Sequence, residues 1–79
     1  MEKKMETRVA VIAIIIEDGS AAQEVNELLH GAAKYIIGRM GIPYRDKGIS
    51  IISIAIDAPQ DIISTLSGKI GRLKGVSVK

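Results

Sequence analysis

The chain contains no cysteine, tryptophan or phenylalanine, one histidine and two prolines. Without cysteine there can be no disulfide, no thiolate metal site and no cysteine nucleophile. Tyr35 and Tyr44 are the only aromatic residues, so the stacking platform of RNA-binding sheets is missing. Neither sign of charge dominates: 11 basic residues stand against 9 acidic ones, a net charge of +2. That balance excludes a disordered polyelectrolyte and a broad basic face for nucleic acid. Lys69, Arg72, Lys74 and Lys79 form a modestly basic end that reads as solvated surface, and no helix-turn-helix fits the pattern. No direct contact with nucleic acid is expected. The longest apolar run, Val9 to Ile16, has eight residues, whereas a membrane helix needs about 20. The start, MEKKMETR, lacks the apolar core and cleavage site of a signal peptide. The chain therefore reads as cytoplasmic, with no membrane partner.

What it has in quantity is isoleucine, 15 of 79 residues. A core of that kind is β-branched and aliphatic, which favours strands. The length allows one domain, 1–79, at the small end of what folds alone. Residues 1–6 are polar or Met and are expected to fray.

From Thr7 to Glu17 a dense β-branched run stops at Asp18-Gly19, which predicts a strand. Val9, Val11, Ala13 and Ile15 point to one face; Ala10, Ile12, Ile14 and Ile16 point to the other. Both faces are apolar, so both call for cover. Ser20 followed by Gln23 has capping-box spacing, and Val25, Leu28, Leu29, Ala32 and Ile36 form a helical stripe. That helix is expected to end near Gly38. Met40 to Arg45 predicts a short strand, with Met40, Ile42 and Tyr44 on one face and Arg39, Gly41, Pro43 and Arg45 on the other. Pro43 cannot donate to a ladder, which places the strand at a sheet edge. Asp46-Lys47-Gly48 forms a tight loop, and Ile49 to Asp57 is a third strand. Pro59 opens a second helix carrying Ile62, Ile63, Leu66, Ile70 and Leu73, weakened by Gly68 and Gly71. Gly75 turns the chain into a last short strand, Val76 to Lys79.

The order βαββαβ, with right-handed crossovers, gives an α+β fold. It is the ferredoxin-like sandwich, a four-stranded antiparallel sheet with two helices on one face. Two helices cover one face only. The other would expose Ile49, Ile51 and Ala55 beside one side of the first strand, an apolar patch larger than monomers usually show. Self-association, sheet face on sheet face or edge to edge into a longer sheet, is the expected resolution, as a homodimer or homotetramer. A first strand that curls under a folded-back terminus is the alternative.

Catalytic groupings are thin. His30 has no second nitrogen or sulfur ligand in the chain, so no metal site is expected within one subunit; the alternatives are a solvent-facing residue or a site shared between subunits. Glu17 and Asp18 are adjacent, and on a strand adjacent side chains diverge. Ser67-Gly68-Lys69 lacks the earlier glycine of a phosphate loop, since Ile63 stands in its place. No nucleophile elbow is present. The reading is a chain that is not an enzyme and needs no cofactor.

Two stretches, GRMGIPYRDKGIS (Gly38 to Ser50) and GKIGRLKGVSVK (Gly68 to Lys79), together with the first strand, resemble the small proteins called iron-only hydrogenase system regulators. The β1–α1 junction, an apolar strand followed by Glu17-Asp18-Gly19 and a helix, is similar to ACT-type regulatory domains. The resemblance implies a stand-alone ACT-like domain, related in fold to the C-terminal domain of the nickel-responsive repressor and assembling as dimers or tetramers. The chain departs from the repressor in its single histidine, absent cysteine and missing ribbon-helix-helix segment, so neither nickel sensing nor DNA binding carries over.

In ACT-like domains effectors bind at subunit interfaces near the loop after the first strand. Here that implies Asp18, Gly19 and Ser20, where Gly19 admits a ligand to the backbone and a helix N-terminus offers N–H groups. Arg39 and Arg45 would add a clamp for an anion. The implied function is regulatory: binding a small anionic or amino-acid-like effector between subunits, in connection with an iron-only hydrogenase system. A protein-interaction scaffold without a small ligand is the alternative, and an enzyme site formed only between subunits is a third.

Overall fold

The computed structural model describes residues 6–79. The expectation of a frayed start falls almost entirely on residues 1–5, which lie outside the described residues.

The β-branched runs become long strands. Arg8–Ile16 is β1, Ile36–Tyr44 is β2, Ile49–Ala58 is β3 and Val76–Val78 is β4. Two helices, α1 (Ala22–Gly31) and α2 (Gln60–Gly71), complete the βαββαβ order. The sheet order is β2-β3-β1-β4 and every pairing is antiparallel. This is the ferredoxin-like, ACT-like arrangement. The isoleucine-rich strands β1 and β3 occupy its centre, and Pro43 sits on the edge strand.

Parity on the central pair decides the core. Ile12, Ile14 and Ile16 on β1 and Ile52, Ile54 and Ile56 on β3 point under the helices and are buried, Ile14 and Ile54 completely. The helices close over them with Val25 and Leu29 from α1 and Ile63, Leu66 and Ile70 from α2. Of β1's two apolar sets, the bulkier went inside; Val9 and Val11, smaller, remain 70% and 66% exposed.

Two local expectations are corrected. The first helix stops at Gly31, not near Gly38, and a short 3-10 turn, Ala33–Tyr35, leads directly into β2. The strand is therefore nine residues long rather than six, and it carries an irregularity between Ile36 and Gly38. Ile36 pairs with Ile56 and Gly38 with Ala55, so Ile37 is the extra residue of a bulge. The capping box also fails to form. The helix N-terminus is preceded by a 3-10 turn, Gly19–Ala21, capped by Asp18 rather than Ser20.

The two left-handed glycines mark the tight turns. Gly48 (φ 64°) ends the β2–β3 loop and Gly75 (φ 78°) immediately precedes β4. Gly68 and Gly71 do not shorten α2, which runs twelve residues to Gly71.

Candidate functional site

The β1–α1 turn is built by Asp18. Its Oδ1 accepts the backbone N–H of Ser20 at 3.0 Å and the Ser20 hydroxyl at 2.8 Å. Ala21 N–H donates to the Asp18 carbonyl at 2.9 Å, and Ala22 N–H donates to the Gly19 carbonyl. These donors, which an anion would otherwise use, are engaged inside the turn. What the turn offers outward is a carboxylate. The Ser20 backbone N–H, and then its hydroxyl, hold the Asp18 carboxyl below the usual aspartate range.

Gly19 and Ser20 are exposed. Gly19 has an ordinary negative-φ backbone, and a Cβ added there would meet nothing within 4 Å. Neither conformation nor packing among the described residues asks for glycine at this position. The turn is braced from behind by β4. The Gly75 carbonyl accepts from Glu17 N–H at 2.7 Å and from Asp18 N–H at 3.3 Å.

The five expected ligand residues do not share one place in a single subunit. Pro43, Ser50 and Ile16 are aligned across the sheet, so Arg45 and Asp18 both lie two residues beyond the same row. Their strand lines are about 10 Å apart, with β3 between. Arg39 aligns with Ile54 and hence with Ile12. It sits about 20 Å further down the sheet from the loop.

Arg39 belongs to different surroundings. Its Nη2 donates to Asn26 Oδ1 on α1, and it forms one wall of a groove of ≈ 1000 Å³ that also includes Gln23, Glu27 and His30. Sequence reasoning missed this groove because the early end of α1 was not foreseen. Among the described residues no group of three or more histidines, cysteines or carboxylates could hold a metal ion.

The open sheet face carries Ile49, Ile51 and Ala55, as expected, each half-buried by neighbours. Register extends the patch. Ile15 stands beside Ile51, which stands beside Ile42; Val11 stands beside Ala55; Tyr44 stands beside Ile49. Val9, Val11, Met40, Ile42 and Tyr44 are all more than 40% exposed. The plan area is on the order of 400 Å², not larger than monomers usually show, as was expected, but within the range of the largest patch on ordinary monomers, patches that are often functional. Charge stays at the margins: Asp57 beside Val9 at one end, Lys79 beside Ala13 at the β4 edge.

The comparisons agree with this architecture. A family model described as "TM1266-like: Iron-only hydrogenase system regulator, putative" matches residues 8–79. The solved structure of the uncharacterized protein TM1266 from Thermotoga maritima is 37% identical, with a TM-score of 0.90 and 94% of each chain covered. A formyltetrahydrofolate deformylase from Pseudomonas putida KT2440 is 13% identical, with a TM-score of 0.65. It matches 91% of this chain but 28% of its own length, and shows likeness of fold alone. A comparison with curated proteins found no match.

Proposed function

The chain belongs to the TM1266-like family of iron-only hydrogenase system regulators, and from that premise we propose that it is a non-enzymatic regulatory module working as a homo-oligomer. The observation that carries this reading is the uncovered apolar sheet face, charge-free at its centre and polar at its rim, the anatomy of an association surface. A second copy is the occupant that fits. The sheet edges suit pairing poorly: β2 is interrupted by the bulge at Ile37 and by Pro43, and β4 has three residues.

The effector site of this reading is the β1–α1 turn. With its N–H groups engaged, the exposed Asp18 carboxylate favours the amino group of an amino-acid-like ligand over a bare anion, and Gly19 leaves the approach clear. Arg45, at the same end of the sheet, is placed to receive the ligand's carboxylate once a partner subunit closes the gap. An effector bound there favours one arrangement of subunits over another.

Solution mass by light scattering, on the wild type and on Ile51→Glu, tests the assembly. The expected result is a dimer or tetramer that the substitution dissociates into folded monomer. A monomeric wild type would refute the interface and with it the effector site between subunits. A scaffold without a small ligand is the second reading, favoured by the open form of the grooves among the described residues. It predicts no thermal shift across a panel of amino acids, where the effector reading predicts a concentration-dependent rise.

A further inference from the structure

Arg39 stands too far from Asp18 to serve the loop, and its own surroundings form a second site. Gln23, Asn26 and His30 recur along α1 at i, i+3 and i+7, which puts them on one face of the helix. That face borders the groove whose opposite wall is Arg39, over an apolar floor that includes Leu29 and Ile36. The hydrogen bond to Asn26 draws the Arg39 guanidinium toward α1 and uses one of its five N–H donors.

Gly41 is the independent observation. It aligns with Ile52 as Arg39 aligns with Ile54, so both lie on the same face of β2. Its φ is not left-handed, and a Cβ there would meet nothing within 4 Å. Glycine weakens a strand, and here it leaves bare backbone open to the close approach of a ligand.

We propose that this groove binds a small organic carboxylate with an apolar body. The carboxylate pairs with the Arg39 fork, flanked by the amides of Gln23 and Asn26 and the His30 imidazole. The apolar body runs from Arg39 along β2, away from Ile36, toward the bare backbone at Gly41. Glu27 on the groove wall disfavours a multiply charged anion such as phosphate. The site is independent of the effector turn at Asp18.

The test is an NMR titration of the full chain with 3-methylbutanoate, and in parallel with inorganic phosphate, read at the His30 ring and the Gly41 amide. Saturable shifts at both positions in the millimolar range are expected, with phosphate weaker. Arg39→Gln should weaken binding roughly tenfold or more, the loss of a charged hydrogen-bond pair. Gly41→Val should keep or raise the melting temperature, because valine suits a strand and meets open space, yet lose the response. Asp18→Asn should leave the response intact. No saturable shift at His30 and Gly41 overturns the proposal, as does equal binding by Arg39→Gln or Gly41→Val. Phosphate binding as tightly as the carboxylate, or loss of the response in Asp18→Asn, overturns it too.

Discussion

Gly75 and Asp18 approach so closely that a Cβ on Gly75 would lie 2.5 Å from the Cβ of Asp18 and 3.2 Å from its backbone nitrogen. Gly75 also has φ +78°, so its lack of a side chain is required twice over. The start of β4 and the β1–α1 turn form one interlocked unit, and the geometry of Asp18 depends on it.

Gly75→Ala should therefore destabilise the domain by about 2 kcal/mol or more, from left-handed strain and from the contact with Asp18 together. Gly48→Ala is the control. It has φ +64° but open space around it, and should cost only about 1 kcal/mol. Urea denaturation of the two variants separates strain from crowding. Equal costs would refute the close packing of the two loops.

Asp18 also gives a pH signature. Its folded-state pKa is depressed by the Ser20 N–H and hydroxyl, so its contribution to stability is present above the ordinary aspartate pKa. That contribution fades as pH falls through the depressed value. In Asp18→Asn the acid limb of the stability profile should be shallower. Thermal melts of both proteins from neutral pH down through the acidic range read this directly, and parallel profiles would count against the Asp18–Ser20 geometry.

Gly19→Leu separates folding from ligand recognition. A Cβ there meets nothing within 4 Å among the described residues, so the unliganded melting temperature should stay within a few degrees. A thermal shift given by an amino-acid-like effector should disappear. Retention of the shift would place the effector elsewhere.

Parity along β3 makes a further prediction. Ile54 is completely buried, and Ile54→Val should cost about 0.5–1.5 kcal/mol of folding stability. Ile51 points to the open face, so Ile51→Val should leave monomer stability nearly unchanged and weaken self-association. Chemical denaturation at several protein concentrations distinguishes the two, since only the second effect depends on concentration.

The element order and sheet topology were legible because the apolar runs were dense and the punctuation at Asp18-Gly19, Gly48, Pro59 and Gly75 was strong. The orientation of β1 was not. Both of its faces are apolar, and only packing against the helices could decide that Ile12, Ile14 and Ile16 go inward. The end of α1 was misread for a related reason. Ile36 continues the helical stripe in sequence, and it is also the first residue of β2, half-buried against the same core. Helical and strand periodicities both accommodate it, and the bulge at Ile37 hides the alternation that would have favoured the strand.

The site residues divided along the same line. Asp18, Gly19 and Ser20 are neighbours in sequence, so their turn was foreseeable, although the capping role passed from Ser20 to Asp18. Asp18 precedes the turn and reaches two backbone groups ahead, a geometry open to Asp and Asn. The separation of Arg39 from the loop follows from register, and register depends on the bulge.

The interruption of β2 at Ile37 and Pro43 bears on how the chain behaves when it is abundant. Fibrils grow when a long, flat strand edge templates the next copy without end. Here the longer edge is broken near both ends, and in the proposed assembly a single twofold contact would use up the apolar face. If the face pairs as proposed, raising the concentration should fill closed pairs rather than lengthen ribbons.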